Sequence, residues 1–324
     1  MGVLNRATRG GVGAAIAGLM LAVLAMSAGW ASGAVYDGRA PRGCGAVCSS
    51  SVSAAEAGAD PTAGLLAVPT PQPTEPAGFP FVSARSISII EGSCGAQIYG
   101  RNPHLRLPPA SLTKLMTAAV AVDHASVDKM ITTNVDSAKL YQDTGSTIMG
   151  LKPGMELSLL DLLYGLLLPS GNDAAIAIAE GIGGTQDKFV ALMNEKVQSL
   201  ALTDTHFTNA HGLYDKDLYS SAYDMARLAR YVMQNDTLRT IVSTTSWQPK
   251  WDGPPVWNGN RLITDYKGAD GVKIGYTEQS AQTIVGSATR GGRRIIVSLM
   301  RSQDRYTDAE RLLDWAFAQP SACP

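Results

Sequence analysis

Ser111 and Lys114 stand three residues apart in Pro108-Pro109-Ala110-Ser111-Leu112-Thr113-Lys114, where the apolar run Leu115-Met116-Thr117-Ala118 begins. On a helix, positions i and i+3 share a face with Cβ atoms about 5–6 Å apart, so the amine can reach the hydroxyl. Such a pair can do nucleophilic acyl transfer: the amine takes the serine proton and the oxygen attacks a carbonyl. Ser111 would sit at the helix N-terminus, where unpaired N–H groups and the dipole favour developing negative charge and disfavour a protonated lysine. The amine serves as a base only when neutral, and burial beside a second cation lowers its pKa by desolvation and like-charge repulsion. The chain should therefore supply another lysine. Spacing alone is weak grounds, because Ser126-Val127-Asp128-Lys129 repeats it, and a capping serine with a solvated lysine accounts for most such pairs.

Other reaction classes lack their residues. There is no His-Glu-x-x-His, no Gly-x-Ser-x-Gly, no Gly-x-x-x-x-Gly-Lys phosphate loop and no dinucleotide fingerprint. Of the histidines His104, His124, His206 and His211, only His211, in Asn209-Ala-His-Gly-Leu213, is a candidate base for a Ser-His-Asp triad, and a histidine in such a loop is more often a turn residue. The cysteines Cys44, Cys48, Cys94 and Cys323 lie beside no candidate base, and Cys44-x-x-x-Cys48 without a histidine cluster argues against zinc. Neither a metal nor a cofactor is expected.

The elements that must position these residues can be read in outline. Arg85-Ser-Ile-Ser-Ile-Ile90 and Ala96-Gln-Ile-Tyr-Gly100 read as two strands of a hairpin, and a helix follows from Ser111. A hydroxyl residue three before an acidic one marks helix starts at Ser158/Asp161, Ser221/Asp224 and Thr307/Glu310. Further helices are expected over 172–182 and 186–201, and three strands at Gly271–Thr277, Ala281–Thr289 and Arg293–Met300, the last two joined at Gly291-Gly292. A helix over 308–318 closes the chain. Strands at both ends with helices between them imply one shared antiparallel sheet plus an all-helical subdomain, an α/β protein of the α+β type. That sheet brings the chain ends together, so Cys94 is expected to pair with Cys323, and Cys44 with Cys48.

Residues 1–34 hold Arg6 and Arg9, no acid, and the apolar core of an uncharged run from Gly10 to Tyr36. This is a secretory signal ending at Ser32-Gly33-Ala34, or else a retained N-terminal anchor. Residues 35–82 contain seven of the 17 prolines and read as a Pro/Ala-rich disordered linker, leaving 83–320 as the folded domain. Without residues 1–34 the chain has 25 Lys+Arg against 28 Asp+Glu, net −3, which gives nucleic acid no electrostatic footprint. Membrane association is expected through the N-terminus only, and localisation outside the cytoplasm.

Three motifs then come in order: Ser111-x-x-Lys114, Ser170-Gly-Asn172 and Lys273-Ile-Gly275. With the flanking words Gly165-Leu-Leu-Leu-Pro-Ser-Gly-Asn-Asp-Ala-Ala175, Thr205–Leu213, Tyr219–Arg230 and Gly275–Ala281, the chain resembles the low-molecular-mass penicillin-binding D-alanyl-D-alanine carboxypeptidases over nearly all of 83–318. The resemblance implies a penicillin-binding, serine β-lactamase-like fold and hydrolysis of peptidoglycan stem peptides through an acyl-enzyme, with β-lactams as covalent inhibitors. It implies Ser111 as nucleophile, Lys114 as its base, Ser170 as proton relay to the leaving amine, and Asn172 as a substrate-backbone ligand. Lys273 and Gly275 lie on a strand lining the cleft, Lys273 being the required second cation. The Ser111 and Thr277 amides would form the oxyanion hole, with the substrate lying along that strand. Lys152-Pro-Gly154 also fits the third motif, but its proline suits a turn.

The family's third motif normally reads Lys-Thr-Gly, and Ile274 removes a hydroxyl that helps hold the substrate's terminal carboxylate. A D,D-endopeptidase, or a weakly active wall-binding protein of the same fold, therefore stays open beside the carboxypeptidase. A β-lactamase is disfavoured, since its acidic water-activating residue is not identifiable. The chain stops at Pro324, where many members continue into a β-rich domain and an amphipathic helix.

Overall fold

The computed structural model describes residues 75–250 and 253–324. The segments expected to be signal and most of the linker, with Cys44 and Cys48, lie outside the described residues. The chain first forms β1 (Ser86–Glu91) and β2 (Gln97–Arg101), a 3-10 turn over Ala110–Leu112, α1 (Thr113–His124), β3 (Met130–Thr132), α2 (Ser137–Thr144) and β4 (Glu156–Ser158). The middle of the chain is helical: α3 (Leu159–Leu167), α4 (Asn172–Gly183), α5 (Gln186–Ser199), α6 (Ala222–Gln234) and α7 (Asp236–Ser243). A small ribbon, β5 (Ser246–Trp247) and β6 (Val256–Trp257), and the short α8 (Leu262–Asp265) lead to β7 (Ala269–Thr277), β8 (Ala281–Arg290), β9 (Arg293–Ser302) and α9 (Arg305–Ala318).

The main sheet is antiparallel in the order β2-β1-β9-β8-β7, so strands from the two chain ends meet at β1–β9, with Ser88 opposite Ser298 and Ile89 opposite Val297. The strand period of two sorts the side chains. Ile87, Ile89, Val297 and Leu299 pack with Leu312 and Leu313 of α9. Ile90, Val285 and Ile296 turn the other way, into the helical core. On that face α6 lies across β1 and β9, and its Ala222, Ala226 and Ala229 are fully buried. Gly291 and Gly292, with φ of +56° and +81°, make the two-residue hairpin turn between β8 and β9, which needs a left-handed residue at both positions. β7 is an edge strand, which leaves one row of its backbone groups unpaired by the sheet.

Two of the three expected caps form: Ser158 Oγ accepts from Asp161 N at 3.1 Å, and Ser221 Oγ from Asp224 N at 3.2 Å. The third does not. α9 starts at Arg305, capped by Asp304, whose carboxylate accepts from the Thr307 amide and places Thr307 inside the first turn. The packed region also begins before residue 83. Phe79 packs at a tilt against Tyr99 and edge-on against Trp315, and Val82 is buried, because aromatic burial outweighs the extended tendency of a Pro-rich stretch. Cys94 and Cys323 are disulfide-bonded across 229 residues, tying the β1–β2 turn to the segment after α9. Among the described residues no helix is long and apolar enough to cross a membrane.

Candidate active site

Ala110, at φ +51°, bends the chain into the 3-10 turn that carries Ser111 onto the start of α1. One turn on, Lys114 is 0% exposed, a cost met only by satisfying its amine. Nζ lies 3.0 Å from Ser111 Oγ, 2.6 Å from Asn172 Oδ1 and 2.6 Å from the His211 carbonyl oxygen. The last two can only accept. A neutral amine spends its two hydrogens on them, which leaves its lone pair facing the Ser111 hydroxyl.

Desolvation pushes the Lys114 pKa well below its ordinary value, and the Lys273 cation pushes it further, against a smaller opposing pull from Asp173. The second cation is thus in place. Lys273 is itself buried on β7, where its Nζ donates to the Ile274 carbonyl at 3.0 Å, and burial together with Arg305 lowers its pKa to about 7. A lysine that titrates near 10.4 when unfolded and near 7 when folded makes the folded state less stable wherever the unfolded chain holds the extra proton. The penalty is absent above about pH 10.4, grows as pH falls, and is fully present below about pH 7. Lys273→Met is therefore expected to raise the thermal unfolding midpoint at pH 7, by a few kcal/mol of stability, with a gain that shrinks toward pH 10. Melts of both proteins across that range check this. A constant difference would show that the charge is not the cause.

Ser170 turns through φ +69°, and its buried Oγ has no hydrogen-bond partner. Asn172 follows as the first residue of α4. Asp173 fixes the segment by accepting from the amides of Met149, Gly150 and Leu151 and from Ser137 Oγ. On β7, a Cβ at Gly275 would stand 2.6 Å from Thr283 Oγ1 and 2.9 Å from the Ser111 amide nitrogen. Only glycine lets the strand backbone lie this close to the nucleophile. Ser111, Ser170, Asn172, Ile274, Gly275 and Thr277 all line one cleft of about 810 Å³, with Lys114 and Lys273 buried behind its wall.

Thr277 departs from its expected use. Its amide donates to Ser280 Oγ at 2.9 Å, within the turn that joins β7 to β8. Amides along an antiparallel strand point alternately to the two sides, so the Tyr276 amide faces the open edge. His211 is no triad base: Nδ1 accepts from the Leu213 amide at 3.1 Å, and burial beside Lys114 lowers its pKa to about 4. The second Ser-x-x-Lys copy is a surface turn, with Ser126 Oγ accepting from the Asp128 amide and Lys129 exposed. Lys152-Pro-Gly154 is a turn with Gly154 at φ +83°.

Sequence reasoning missed Arg305, the cation in the cleft lining, whose Nη1 donates to the Gly275 carbonyl at 2.8 Å. No local signal marked it: the hydroxyl-acid pattern put the helix start at Thr307, and only the Asp304 cap brings Arg305 into the first turn. Among the described residues no group of three His, Cys, Asp or Glu side chains could hold a metal ion.

Comparison with known proteins agrees with this geometry. The family model described as D-alanyl-D-alanine carboxypeptidase (Peptidase_S11) matches residues 72–304. D-alanyl-D-alanine carboxypeptidase DacF of Bacillus subtilis is 34% identical over 248 residues, covering 74% of this chain and 64% of that protein. The DacB2 carboxypeptidase of Mycobacterium tuberculosis is 34% identical over 257 residues, covering 76% and 87%. The Streptomyces K15 DD-transpeptidase superposes with a TM-score of 0.69 at 29% identity, covering 74% of this chain and 99% of that one. A D-alanyl-D-alanine carboxypeptidase from M. tuberculosis H37Rv gives a TM-score of 0.70 at 33% identity, covering 77% and 97%. The fold is the penicillin-binding fold of these enzymes. The chain spans 64% of the length of DacF and 62% of that of DacA of Escherichia coli.

Proposed function

Because the chain belongs to the D-alanyl-D-alanine carboxypeptidase family, we propose that it is a serine hydrolase that removes the terminal D-alanine from peptidoglycan stem peptides through an acyl-enzyme at Ser111, and that β-lactams acylate the same residue. The observation that carries this is the buried Lys114 amine, its pKa held well below the ordinary value by desolvation and by Lys273, and ringed by Ser111 Oγ, Asn172 Oδ1 and the His211 carbonyl. Ser111 Oγ attacks the carbonyl carbon of the D-alanyl-D-alanine bond as its proton passes to Lys114. The Ser111 and Tyr276 amides hold the oxyanion. The proton reaches the leaving amine by way of Ser170, D-alanine departs, and water then hydrolyses the ester. Lys114 takes the proton of that water and hands it to Ser111 Oγ as the acyl–oxygen bond breaks, which frees the shortened peptide as its carboxylate and returns the serine hydroxyl.

The substrate lies along the open edge of β7, where Asn172 and Gly275 flank its backbone and Thr277 lines the cleft beside it. Arg305 holds the terminal carboxylate in place of the hydroxyl that Ile274 lacks. Action outside the cytoplasm follows from the substrate, with residues 1–34 as export signal or anchor, a linker after them, and a catalytic domain running to about residue 320 that takes in Phe79 and Val82 ahead of residue 83. Ile274 favours one second reading, a D,D-endopeptidase that needs no free carboxylate, and Arg305 favours the first.

Release of D-alanine from a pentapeptide by purified protein tests the activity, and no release would overturn it. Arg305→Gln separates the two readings. Losing a hydrogen bond to a charged group, about 1.5–3 kcal/mol, should lower kcat/KM by about 10- to 150-fold for a free terminal carboxylate and leave an internal D-alanyl bond unaffected. Equal loss on both substrates would show that Arg305 does not read the carboxylate.

A further inference from the structure

The segment Phe207–Leu213 supplies no side chain to the bond-making steps, yet two of its carbonyls hold α1. Ala210 O accepts from Thr117 Oγ1 at 2.6 Å, and His211 O accepts from Lys114 Nζ at 2.6 Å. The fit is close: Gly212, at φ +89°, passes so near the nucleophile turn that a Cβ would stand 2.0 Å from Ala110 O. A loop carbonyl that must take one particular lysine hydrogen needs a fixture of its own, because no sheet ladder or helix orients it.

Two asparagines provide that fixture. At the start of the segment, Asn194 of α5 accepts from the Phe207 amide at 3.0 Å and donates to the Phe207 carbonyl at 2.8 Å. Inside the turn, Asn209 Oδ1 accepts from the Gly212 amide at 2.7 Å and the His211 amide at 3.3 Å, while Nδ2 donates to the Leu213 carbonyl at 3.1 Å. The Gly212 N–H and the His211 C=O belong to one peptide unit, which is planar and turns as a rigid plate. Asn209 grips one edge of that plate and Lys114 uses the other.

We propose that Asn209 is a positioning residue for the general base: by holding the His211–Gly212 peptide plane, it aims the carbonyl that takes one Lys114 hydrogen and so keeps the amine lone pair on Ser111. This rests on the reading that Ser111 is acylated with Lys114 as base. The titratable and charged groups that face Lys114 are Lys273, Asp173 and the His211 imidazole, with Arg305 acting on Lys273. Replacing Asn209 removes none of them.

Second-order rates of penicillin acylation against pH, with a thermal melt of each protein, test the proposal. Asn209→Ala is expected to lower the maximum rate by about 10- to 100-fold, the scale of a misplaced catalytic group. Its acidic limb should move to lower pH, since the lysine ammonium loses a carbonyl acceptor. Asn209→Asp keeps the Oδ1 acceptor. It should hold its maximum within a few-fold of wild type, with the limb moved to higher pH, because the added carboxylate favours the ammonium. Two variants equally slowed with the limb unmoved would mark Asn209 as structural only, and a wild-type profile for Asn209→Ala would remove any role. If Asn209→Ala does not fold, Asn209→Asp decides alone: an unmoved limb overturns the proposal. A wild-type protein that no penicillin labels at any pH would instead overturn the acylation reading beneath it.

Discussion

Ser111→Ala is expected to abolish covalent labelling by a fluorescent penicillin and the release of D-alanine together, while Ser126→Ala changes neither. Both serines precede a lysine by three residues, so the contrast isolates tertiary surroundings from local spacing. Ser111 Oγ is 3.0 Å from a buried amine and opens onto the cleft, whereas Ser126 Oγ caps a surface turn beside an exposed Lys129. Removing the attacking oxygen removes the ester itself, so the loss is complete and not graded. Ser111 lines the cleft from the 3-10 turn before α1 and belongs to no hydrophobic core cluster, so the variant should melt as wild type does. Intact-mass measurement after exposure to penicillin reads the outcome directly. A mass increase surviving in Ser111→Ala would place the nucleophile elsewhere.

The second large effect is at Lys114. Lys114→Met keeps the length and apolar body of the side chain and deletes the proton acceptor, so acylation should fall by about 10²- to 10⁴-fold, the range for a general base. The pH profile carries more information than the rate. In the wild type, a protonated Lys114 cannot accept the serine proton, so acylation should fall as pH drops through the depressed Lys114 pKa. Lys114→Met has no such group. Its residual rate should lack that acidic limb and climb with hydroxide. Folding is not at risk, because exchanging a buried amine for a thioether removes a desolvation penalty and leaves Asn172 Oδ1 and the His211 carbonyl as the only groups to be resatisfied, which water from the cleft can do. Acylation within a few-fold of wild type, or an unchanged acidic limb, would transfer the base role to another group.

How much of this was legible without coordinates depends on whether a signal is local. Ser158 and Ser221 announce their helices because a hydroxyl three residues before an acid reports a bond made within one turn, and both caps form. Thr307 carried the same pattern and failed, because Asp304 three residues earlier offers a stronger acceptor to the same turn. The Cys94–Cys323 bond could be expected once both chain ends were assigned to one sheet. The Thr277 amide could not be placed by counting from Gly275, since strand alternation and the Ser280 turn decide which side each amide faces.

By itself the sequence determined the β1–β2 hairpin, the helices that start near Ser111, Ser158, Asn172, Gln186 and Ser221, the three strands β7–β9, the three motifs and the need for a second cation near Lys114. Each of these is written in spacing of two, three or four residues, or in the chemistry of one side chain. The tertiary structure alone decided which of two Ser-x-x-Lys copies is buried, that Lys273 lies buried behind the cleft wall, and that Arg305 from α9 enters the cleft lining. It also decided that the Lys114 hydrogens go to an asparagine 58 residues away and to a loop carbonyl 97 residues away. Such pairings join residues whose separation along the chain carries no periodic signal, and the low dielectric that lowers the Lys114 pKa exists only once the core has closed around it.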